Sequence, residues 1–355
     1  MLVVLSQFTH PDDRLEQRLA RGRCELYVQP VGAAANSPIP AAIRSRAEAV
    51  IHYPAGTGVE GRPADWPKVR AVLRSGVGFD CIDIAAWGRR GVAVYNVPDY
   101  GTSEVADHAI ALMLALTRGT ASYHDLLRTD PTANWHHAKA PMVRRLRGAT
   151  FGVVGLGRIG LAAALRARSF GMDIAFYDPF ASAGIEISVG ARRAKTLGDL
   201  MATSDVVSVH APASPETVGL IGKVAFARAK KGLVLVNTAR GAIVDLDALY
   251  DALRSGRVAA AGLDVLPVEP ADPANRLVRA WTQREAWLDG RLTLSPHAAF
   301  YSPASLVDMR SFSLETVLAH LETGSSANCV NAQYLKKPKI QETAAKAGTR
   351  RGETP

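Results

Sequence analysis

The segment TFGVVGLGRIGLAAALRARSF, residues 150–170, joins a short apolar strand to an alanine-rich helix through three glycines. Gly155, Gly157 and Gly160 have the spacing G-x-G-x-x-G, which is informative only between a strand and a helix, as here. Gly155 permits a tight turn, Gly157 lets the backbone approach a pyrophosphate, and Gly160 lets the helix pack close to the strand. Backbone N–H groups at the helix N-terminus would then bind the phosphates. The segment therefore predicts a dinucleotide-binding βαβ unit.

A carboxylate follows the glycines at the distance that a dinucleotide site requires. Asp178 comes 18 residues after Gly160, at the end of the apolar run DIAFYD. It can accept hydrogen bonds from the ribose hydroxyls of adenosine, and it would repel a 2′-phosphate. Pro179 and Phe180 carry no compensating positive charge, so the predicted cofactor is NAD rather than NADP. The alternative to a dinucleotide site is a glycine-rich turn beside a solvated aspartate. It would require the glycine motif, its position between a strand and a helix, and the downstream Asp178 to occur together by chance.

Apolar runs alternate with helical segments on both sides of this unit. The first hundred residues contain LVVLS, CELYVQ, AVIHY, VRAVLRS and VAVYNV, and the later series contains TFGVVG, DIAFYD, DVVSVHAP, LVLVNTAR, AAAGLDV and RLTLSP. Nearly continuous apolarity is typical of parallel strands buried on both faces. Strands that alternate with helices indicate βαβ units. The predicted fold class is α/β with two doubly wound parallel sheets, the second of six strands.

Two segments separate the two series of strands. GTSEVADHAIALMLALTRG, residues 101–119, predicts a long, heavily buried helix that could contact another domain or subunit. The polar residues 122–148 are predicted to lie at the surface or in a hinge. His124, His136 and His137 have no acidic partners at ligand spacing there, so no metal site is predicted.

The composition is that of an ordinary soluble globular protein, with 48% hydrophobic and 21% charged residues. The last twenty residues contain six Lys/Arg and two Glu and so supply four of the nine net positive charges; residues 336–355 are predicted to be a disordered basic tail. No basic stripe is interleaved with aromatic residues, so we predict small anions and no nucleic acid as partners.

Three distant cysteines fit a reducing cytoplasm. The stretch AIALMLALT is too short to span a bilayer, so no membrane association is predicted.

Three polar residues follow strands of the second series: Arg240 in NTARG, Glu269 in LDVLPVEP and His297 in SPHAAF. The carboxyl ends of parallel strands form the ligand-binding edge of a doubly wound sheet. Arg240 offers a planar fork of donors to a carboxylate or carbonyl oxygen. His297 can exchange a proton near neutral pH while Glu269 holds its other ring nitrogen. Each residue alone has a structural explanation, but together they favour hydride transfer coupled to proton transfer.

These motifs resemble those of the D-isomer-specific 2-hydroxyacid dehydrogenases. The matching pieces are GLGRIG, NTARGAIVD, GLDVLPVEP, SPHAAF, RSGVGFDCIDI and GTSEVADHAIALML, and the resemblance covers residues 70–335. GFDCIDI, SPHAAFYS and NCVN are most similar to the C-terminal-binding-protein branch, whose corepressors keep the dehydrogenase site. The resemblance implies a Rossmann NAD-binding domain, residues 101–298, inserted into a flavodoxin-like substrate domain, residues 1–100 and 299–335. It also implies a homodimer to which the helix after residue 101 contributes.

The family implies a role for each matching position. Arg240 would bind the 2-oxo acid and polarise its carbonyl group, His297 would donate or accept the proton, and Glu269 would pair with His297. The substrate would also meet the backbone N–H groups of Val77 and Gly78, and Phe300. The implied cofactor contacts come from Gly155, Gly157, Arg158, Ile159, Gly160, Asp178, His210, Ala211, Thr238, Ala239, Ser103 and Asp264, the last through the nicotinamide carboxamide.

Three functions stay open at this point. The first is an NAD-dependent dehydrogenase acting on a small 2-hydroxy or 2-oxo acid of D configuration. The second is an NAD(H)-sensing, corepressor-like binding protein with little turnover. The third is a formate- or phosphite-type dehydrogenase, which would need a tiny pocket near Phe300 and Tyr301. Phe300 replaces a tryptophan of the corepressor branch and Val77 replaces a serine, which leaves substrate specificity open, whereas the intact Arg240, Glu269 and His297 favour the enzyme.

Overall fold

The protein is represented by a computed structural model that describes residues 1–31, 38–53, 58–140, 142–324 and 327–335. The predicted basic tail, residues 336–355, lies outside the described residues. Two parallel sheets organise the described chain, as the alternation of apolar runs predicts.

The first sheet has five strands in the order β2-β1-β3-β4-β5. The strands are β1 (Leu2–Phe8), β2 (Glu25–Pro30), β3 (Ala49–His52), β4 (Ala71–Arg74) and β5 (Ala93–Tyr95), and the helices between them are α1 (Arg14–Ala20), α2 (Ala41–Arg44) and α3 (Ile84–Arg89). All seven residues of β1 are buried, because apolar clusters cover both faces of this sheet. The strand order is that of flavodoxin-like proteins.

The second sheet has seven strands in the order β12-β11-β10-β9-β6-β7-β8. The strands are β6 (Thr150–Val154), β7 (Asp173–Tyr177), β8 (Arg192–Arg193), β9 (Val206–Val209), β10 (Leu233–Asn237), β11 (Val258–Leu263) and β12 (Leu292–Leu294). The helices around it are α4 (Thr102–Arg118), α5 (Thr120–Thr129), α6 (Arg158–Ser169), α7 (Ile185–Ser188), α8 (Leu197–Thr203), α9 (Lys223–Arg228), α10 (Leu246–Arg254) and α11 (Arg276–Thr282). This is the Rossmann order with one added edge strand.

A strand and a helix are among the elements that the sequence prediction did not include. β8 is a seventh strand that the apolar pattern missed, because it consists of two arginines. α5 begins the segment that we predicted to be polar surface or hinge, and it is missed because none of its residues is buried.

The helix α4 covers the second sheet of its own chain. Its apolar residues, among them Ala109, Met113 and Leu116, are buried in one cluster with residues of α6 and the sheet. The apolarity of α4 is therefore explained without a second subunit, and the dimer stays a prediction. No described helix is long and apolar enough to cross a membrane.

The last long helix, α12 (Pro303–Thr323), returns to the first sheet. Its buried residues Met309, Leu314 and Val317 belong to the apolar cluster of β1, β3 and β4. The chain thus builds the first sheet, leaves it for the second and comes back, and the exact domain boundaries near residues 100 and 299 remain a proposal.

Candidate active site

The predicted catalytic residues meet because their strands are neighbours. β10, β11 and β12 lie side by side in the second sheet, and Arg240, Glu269 and His297 follow them in that order. Gly241 lets two of these loops touch, since a Cβ atom there would lie 1.9 Å from the carbonyl carbon of Leu266. All three residues line one cleft of about 680 Å³, together with residues of the first sheet.

His297 and Glu269 form a hydrogen-bonded pair in this cleft. His297 Nδ1 lies 2.7 Å from Glu269 Oε2, and Glu269 Oε1 accepts the N–H of Leu266 at 2.9 Å. Burial disfavours the ionised carboxylate, but these hydrogen bonds and the charge of Arg240 outweigh it and lower the pKa of Glu269. An ionised Glu269 fixes the proton on Nδ1 and leaves the other ring nitrogen of His297 for chemistry.

Arg240, in the loop after β10, reaches the loop that follows β4 of the first sheet. Its Nε donates to Asp80 Oδ1 at 3.1 Å, and its Nη1 donates to the carbonyl oxygen of Ala239 at 2.8 Å. Burial opposes ionisation of Asp80, but Arg240 outweighs it and lowers the pKa of Asp80. The guanidinium lies directly against Gly78, whose backbone N–H is one of the two predicted to bind the substrate. Val77 and Gly78 both line the cleft, and their contacts with a substrate stay a prediction.

The structure adds a second arginine that the sequence analysis missed. Arg74 ends β4 and lines the same cleft. Its Nη1 donates to the carbonyl oxygen of Ser75 at 3.0 Å, whereas its buried Nε has no hydrogen-bond partner in the described part of the chain. Burial lowers the pKa of Arg74. A signal was present, since Arg74 closes an apolar run at the carboxyl end of its strand.

The glycine-rich turn has the form that a pyrophosphate requires. Gly155 has a φ of 89°, and a Cβ atom there would lie 2.8 Å from the backbone nitrogen of Ala211. Gly157 precedes α6 with no side-chain cap and with open space where its Cβ would lie. Gly160 packs against Gly155. The free N–H groups at the start of α6 can therefore face an anion.

Two residues of the cleft have a buried polar atom without a hydrogen bond to the described chain. Thr238 Oγ1 and His210 Nδ1 have no hydrogen-bond partner among the described residues. Burial lowers the pKa of His210 to about 4, so its ring is neutral at pH 7, and its Nε2 lies 2.8 Å from Ser208 Oγ. An unsatisfied buried group costs about 1–3 kcal/mol, which a bound ligand can recover. Ribose hydroxyl and carboxamide groups are suitable partners, so these residues fit a nicotinamide dinucleotide.

The other predicted cofactor residues are distributed as follows. Arg158, Ile159, Ala211 and Ala239 line the cleft, and Arg158 Nε lies 2.9 Å from Asp99 Oδ1. Asp178 follows β7 and accepts the N–H groups of Leu156 at 2.9 Å and Phe180 at 2.8 Å, which ties it to the glycine-rich turn. Ser103 is exposed on the first turn of α4 and is not among the residues that line the cleft. Its cofactor contact stays a prediction.

Asp264 is one of the residues that line the cleft and is 2% exposed. Its carboxylate already accepts hydrogen bonds from Ser295, Ala298 and Ala299. Its predicted contact with the nicotinamide carboxamide is untested, whereas its contacts with the loop of His297 are direct.

Aromatic side chains also line the cleft. Phe300 lines it and packs against Tyr100, with ring centroids 6.1 Å apart. Tyr301, near which the formate- or phosphite-type alternative would need a tiny pocket, is 58% exposed and is not a lining residue. Within the described residues, no group of three His, Cys, Asp or Glu side chains is placed to hold a metal ion.

Comparisons with known proteins identify the family to which the chain belongs. The family model for the NAD binding domain of D-isomer specific 2-hydroxyacid dehydrogenases matches residues 110–299. A glyoxylate reductase from Korarchaeum cryptofilum is 36% identical over 273 residues, which cover 76% of this chain and 78% of the relative. A D-3-phosphoglycerate dehydrogenase from Archaeoglobus fulgidus is 42% identical over 232 residues, 65% of this chain and 41% of the relative. The chain thus spans about two fifths of the length of that relative.

A solved structure shares the fold over nearly its whole length. It is the NADPH-dependent glyoxylate/hydroxypyruvate reductase of Sinorhizobium meliloti in complex with NADP and malonate, with a TM-score of 0.77 and 27% identity over 96% of this chain and 99% of that one. The predicted corepressor branch is tested by none of these relatives and stays a prediction. The predicted nicotinamide cofactor is confirmed, and the chain belongs to the D-isomer-specific 2-hydroxyacid dehydrogenase family.

Proposed function

We propose that the chain interconverts a small 2-oxo acid and the D-2-hydroxy acid, using NAD(H), with His297 as general acid and base. The observation that carries the proposal is the meeting of the His297–Glu269 pair and the Arg240 guanidinium in one cleft. Thr238 and His210, each with a buried polar atom that has no partner in the described part of the chain, line that cleft as well. Acid–base, anion-binding and dinucleotide-binding groups therefore share one space.

His297 moves the proton. With Nδ1 bound to Glu269, the other nitrogen of the neutral ring can accept the hydroxyl proton of a 2-hydroxy acid during oxidation. In reduction, the protonated ring donates from that nitrogen to the carbonyl oxygen of the 2-oxo acid. Glu269 stabilises the imidazolium form in both directions, since the low pKa of its carboxyl keeps it ionised at neutral pH.

Arg240 and Arg74 bind the negative charge of the substrate. Asp80 occupies Nε of Arg240 and the Ala239 carbonyl oxygen occupies Nη1, which leaves Nη2 beside Gly78 for a substrate oxygen. Arg74 brings to the same wall a buried Nε that has no hydrogen-bond partner among the described residues. Two cations in one cleft favour a carboxylate, and the carbonyl oxygen gains stabilisation as it becomes an alkoxide.

The turn at residues 155–160, Asp178, Thr238 Oγ1 and His210 Nδ1 would hold the cofactor. When bound, the nicotinamide ring supplies the hydride in reduction and accepts it in oxidation. Asp178 supports NAD over NADP, because the carboxylate would lie where a 2′-phosphate brings further negative charge. The rings of Phe300 and Tyr100 pack against each other and border the cleft where we place the substrate.

The names of the relatives suggest short substrates. Glyoxylate is a two-carbon 2-oxo acid, and phosphoglycerate dehydrogenases act on a three-carbon hydroxy acid. A panel of 2-oxo acids of two to six carbons, with NADH consumption followed at 340 nm, tests the proposal. We expect turnover with at least one short acid and formation of the D product. If the protein binds NADH but consumes it with none of these acids, the proposed activity is refuted and a binding role is favoured.

A further inference from the structure

We propose that His108 and Ser295 are positioning residues for His297, and that they act through Asp264. This inference rests on the proposed function, because it concerns the placement of the proposed acid–base group. His108 lies on α4, nearly two hundred residues before the loop that it reaches, and none of the roles described above involves it.

Asp264 is the anchor of the loop that carries His297. Its carboxylate accepts the hydroxyl of Ser295 at 2.6 Å and the N–H groups of Ala298 at 2.9 Å and Ala299 at 3.0 Å. Its own carbonyl oxygen accepts the N–H of His297 at 2.8 Å. Four loop residues therefore depend on one aspartate that is almost fully buried.

The loop needs such an anchor because its conformation is strained. His297 has a φ of 53°, in the left-handed region that residues other than glycine rarely adopt. A strained residue persists where the surroundings hold it on several sides. Here the hydrogen bonds to Asp264 flank His297 on both sides, and its ring is held by Glu269.

His108 determines how Ser295 is oriented. His108 Nε2 lies 2.8 Å from Ser295 Oγ and 3.6 Å from Asp264 Oδ1. A serine hydroxyl has one proton, and at 2.6 Å from an acceptor-only carboxylate that proton points to Asp264. Nε2 of His108 must then carry a proton and donate it to Ser295. His108 thus donates a hydrogen bond to Ser295, and Ser295 donates one to Asp264. These two hydrogen bonds connect α4 to the catalytic loop.

Substitution of His108 tests the role. We expect His108→Leu to lower kcat about tenfold, since small displacements of a reacting group cost this much or more, with the substrate KM changed less than about twofold. His108→Gln, whose side-chain amide can donate to Ser295, should recover most of the loss. In a His297→Ala background, His108→Leu should cause no further loss. The matched control is His124→Leu, which removes an exposed histidine of α5 and should leave kcat unchanged.

A readout without turnover separates this inference from the proposed activity. Amide hydrogen exchange at Ala298 and Ala299 in the cofactor-free protein should accelerate about tenfold in His108→Leu and Ser295→Ala, and not in His124→Leu. Unchanged exchange, or an unchanged kcat, in His108→Leu would overturn the inference. So would a loss of kcat that is equally large in the His297→Ala background. If the wild type has no turnover, the exchange rates alone decide whether His108 holds the loop.

Discussion

Replacement of Gly78 by alanine should separate catalysis from stability. A Cβ atom at Gly78 would lie 1.3 Å from Arg240 Nη2, 2.5 Å from its Cζ and 3.0 Å from Asp80 Oδ1. An ordinary contact needs about 3.5 Å, so the guanidinium must withdraw by about 2 Å. The displaced atoms form the end of a flexible side chain, and Gly78 has no positive φ, so the fold should accommodate the methyl group.

The displaced guanidinium can no longer hold its position between Asp80 and the substrate. A misplacement of 1 Å can cost about 10²-fold in rate, so we expect kcat/KM for the best 2-oxo acid to fall at least 10²-fold, or about 2.7 kcal/mol of transition-state stabilisation. Steady-state kinetics and a thermal melt of the same sample give the answer. Gly198→Ala is the control, because a Cβ atom there meets its nearest neighbour at 3.5 Å. Normal turnover in Gly78→Ala, or a loss that follows a lowered Tm, would refute the assigned role of Arg240.

Three further predictions concern the cofactor, the substrate and the pH dependence. Asp178→Ala should reduce the ratio of NAD to NADP affinity, measured by cofactor titration, and an unchanged ratio would exclude the ribose contact. Arg74→Met should raise the KM for 2-oxo acids about tenfold or more with a smaller effect on NADH binding, because it removes a buried cation from the substrate wall; an unchanged KM would place the substrate elsewhere. Glu269→Gln should lower kcat about 10²-fold. It should also destabilise the protein at neutral pH: since the folded pKa of Glu269 lies below the ordinary value of 4.5, the ionised group stabilises the fold above that pH and this contribution disappears as the pH falls through the folded pKa. Urea melts of wild type and variant should therefore converge in strongly acidic solution, and a constant difference would contradict the pairing.

The sequence predicted the elements whose apolar pattern is long and continuous. The eleven predicted strands are all present, because strands buried on both faces leave an uninterrupted apolar signal. β8 was missed because strand pairing of Arg192 and Arg193 depends on the neighbouring β7 and not on hydrophobicity. α5 was missed because a surface helix without buried residues has no apolar stripe.

The site residues also divide into those that a local sequence pattern reveals and those that depend on contacts between distant segments. Arg240, Glu269 and His297 were predictable, because each follows an apolar run and the carboxyl ends of neighbouring parallel strands meet. Arg74 closes an apolar run, where it looks like the ordinary polar end of a strand. The contact of His108 with Ser295 joins a helix to a distant loop, and no local pattern reports such a pairing. The left-handed backbone of His297 is equally invisible in the sequence, since it is imposed by bonds to Asp264.

The most direct test of the central claim is the turnover of His297→Ala measured together with its affinity for NADH. We predict that kcat with the best 2-oxo acid falls at least 10³-fold while the Kd for NADH stays within about threefold of the wild type, because the imidazole moves the proton and does not hold the dinucleotide. Near-normal turnover, or a loss that arises from failure to bind NADH, would contradict the account.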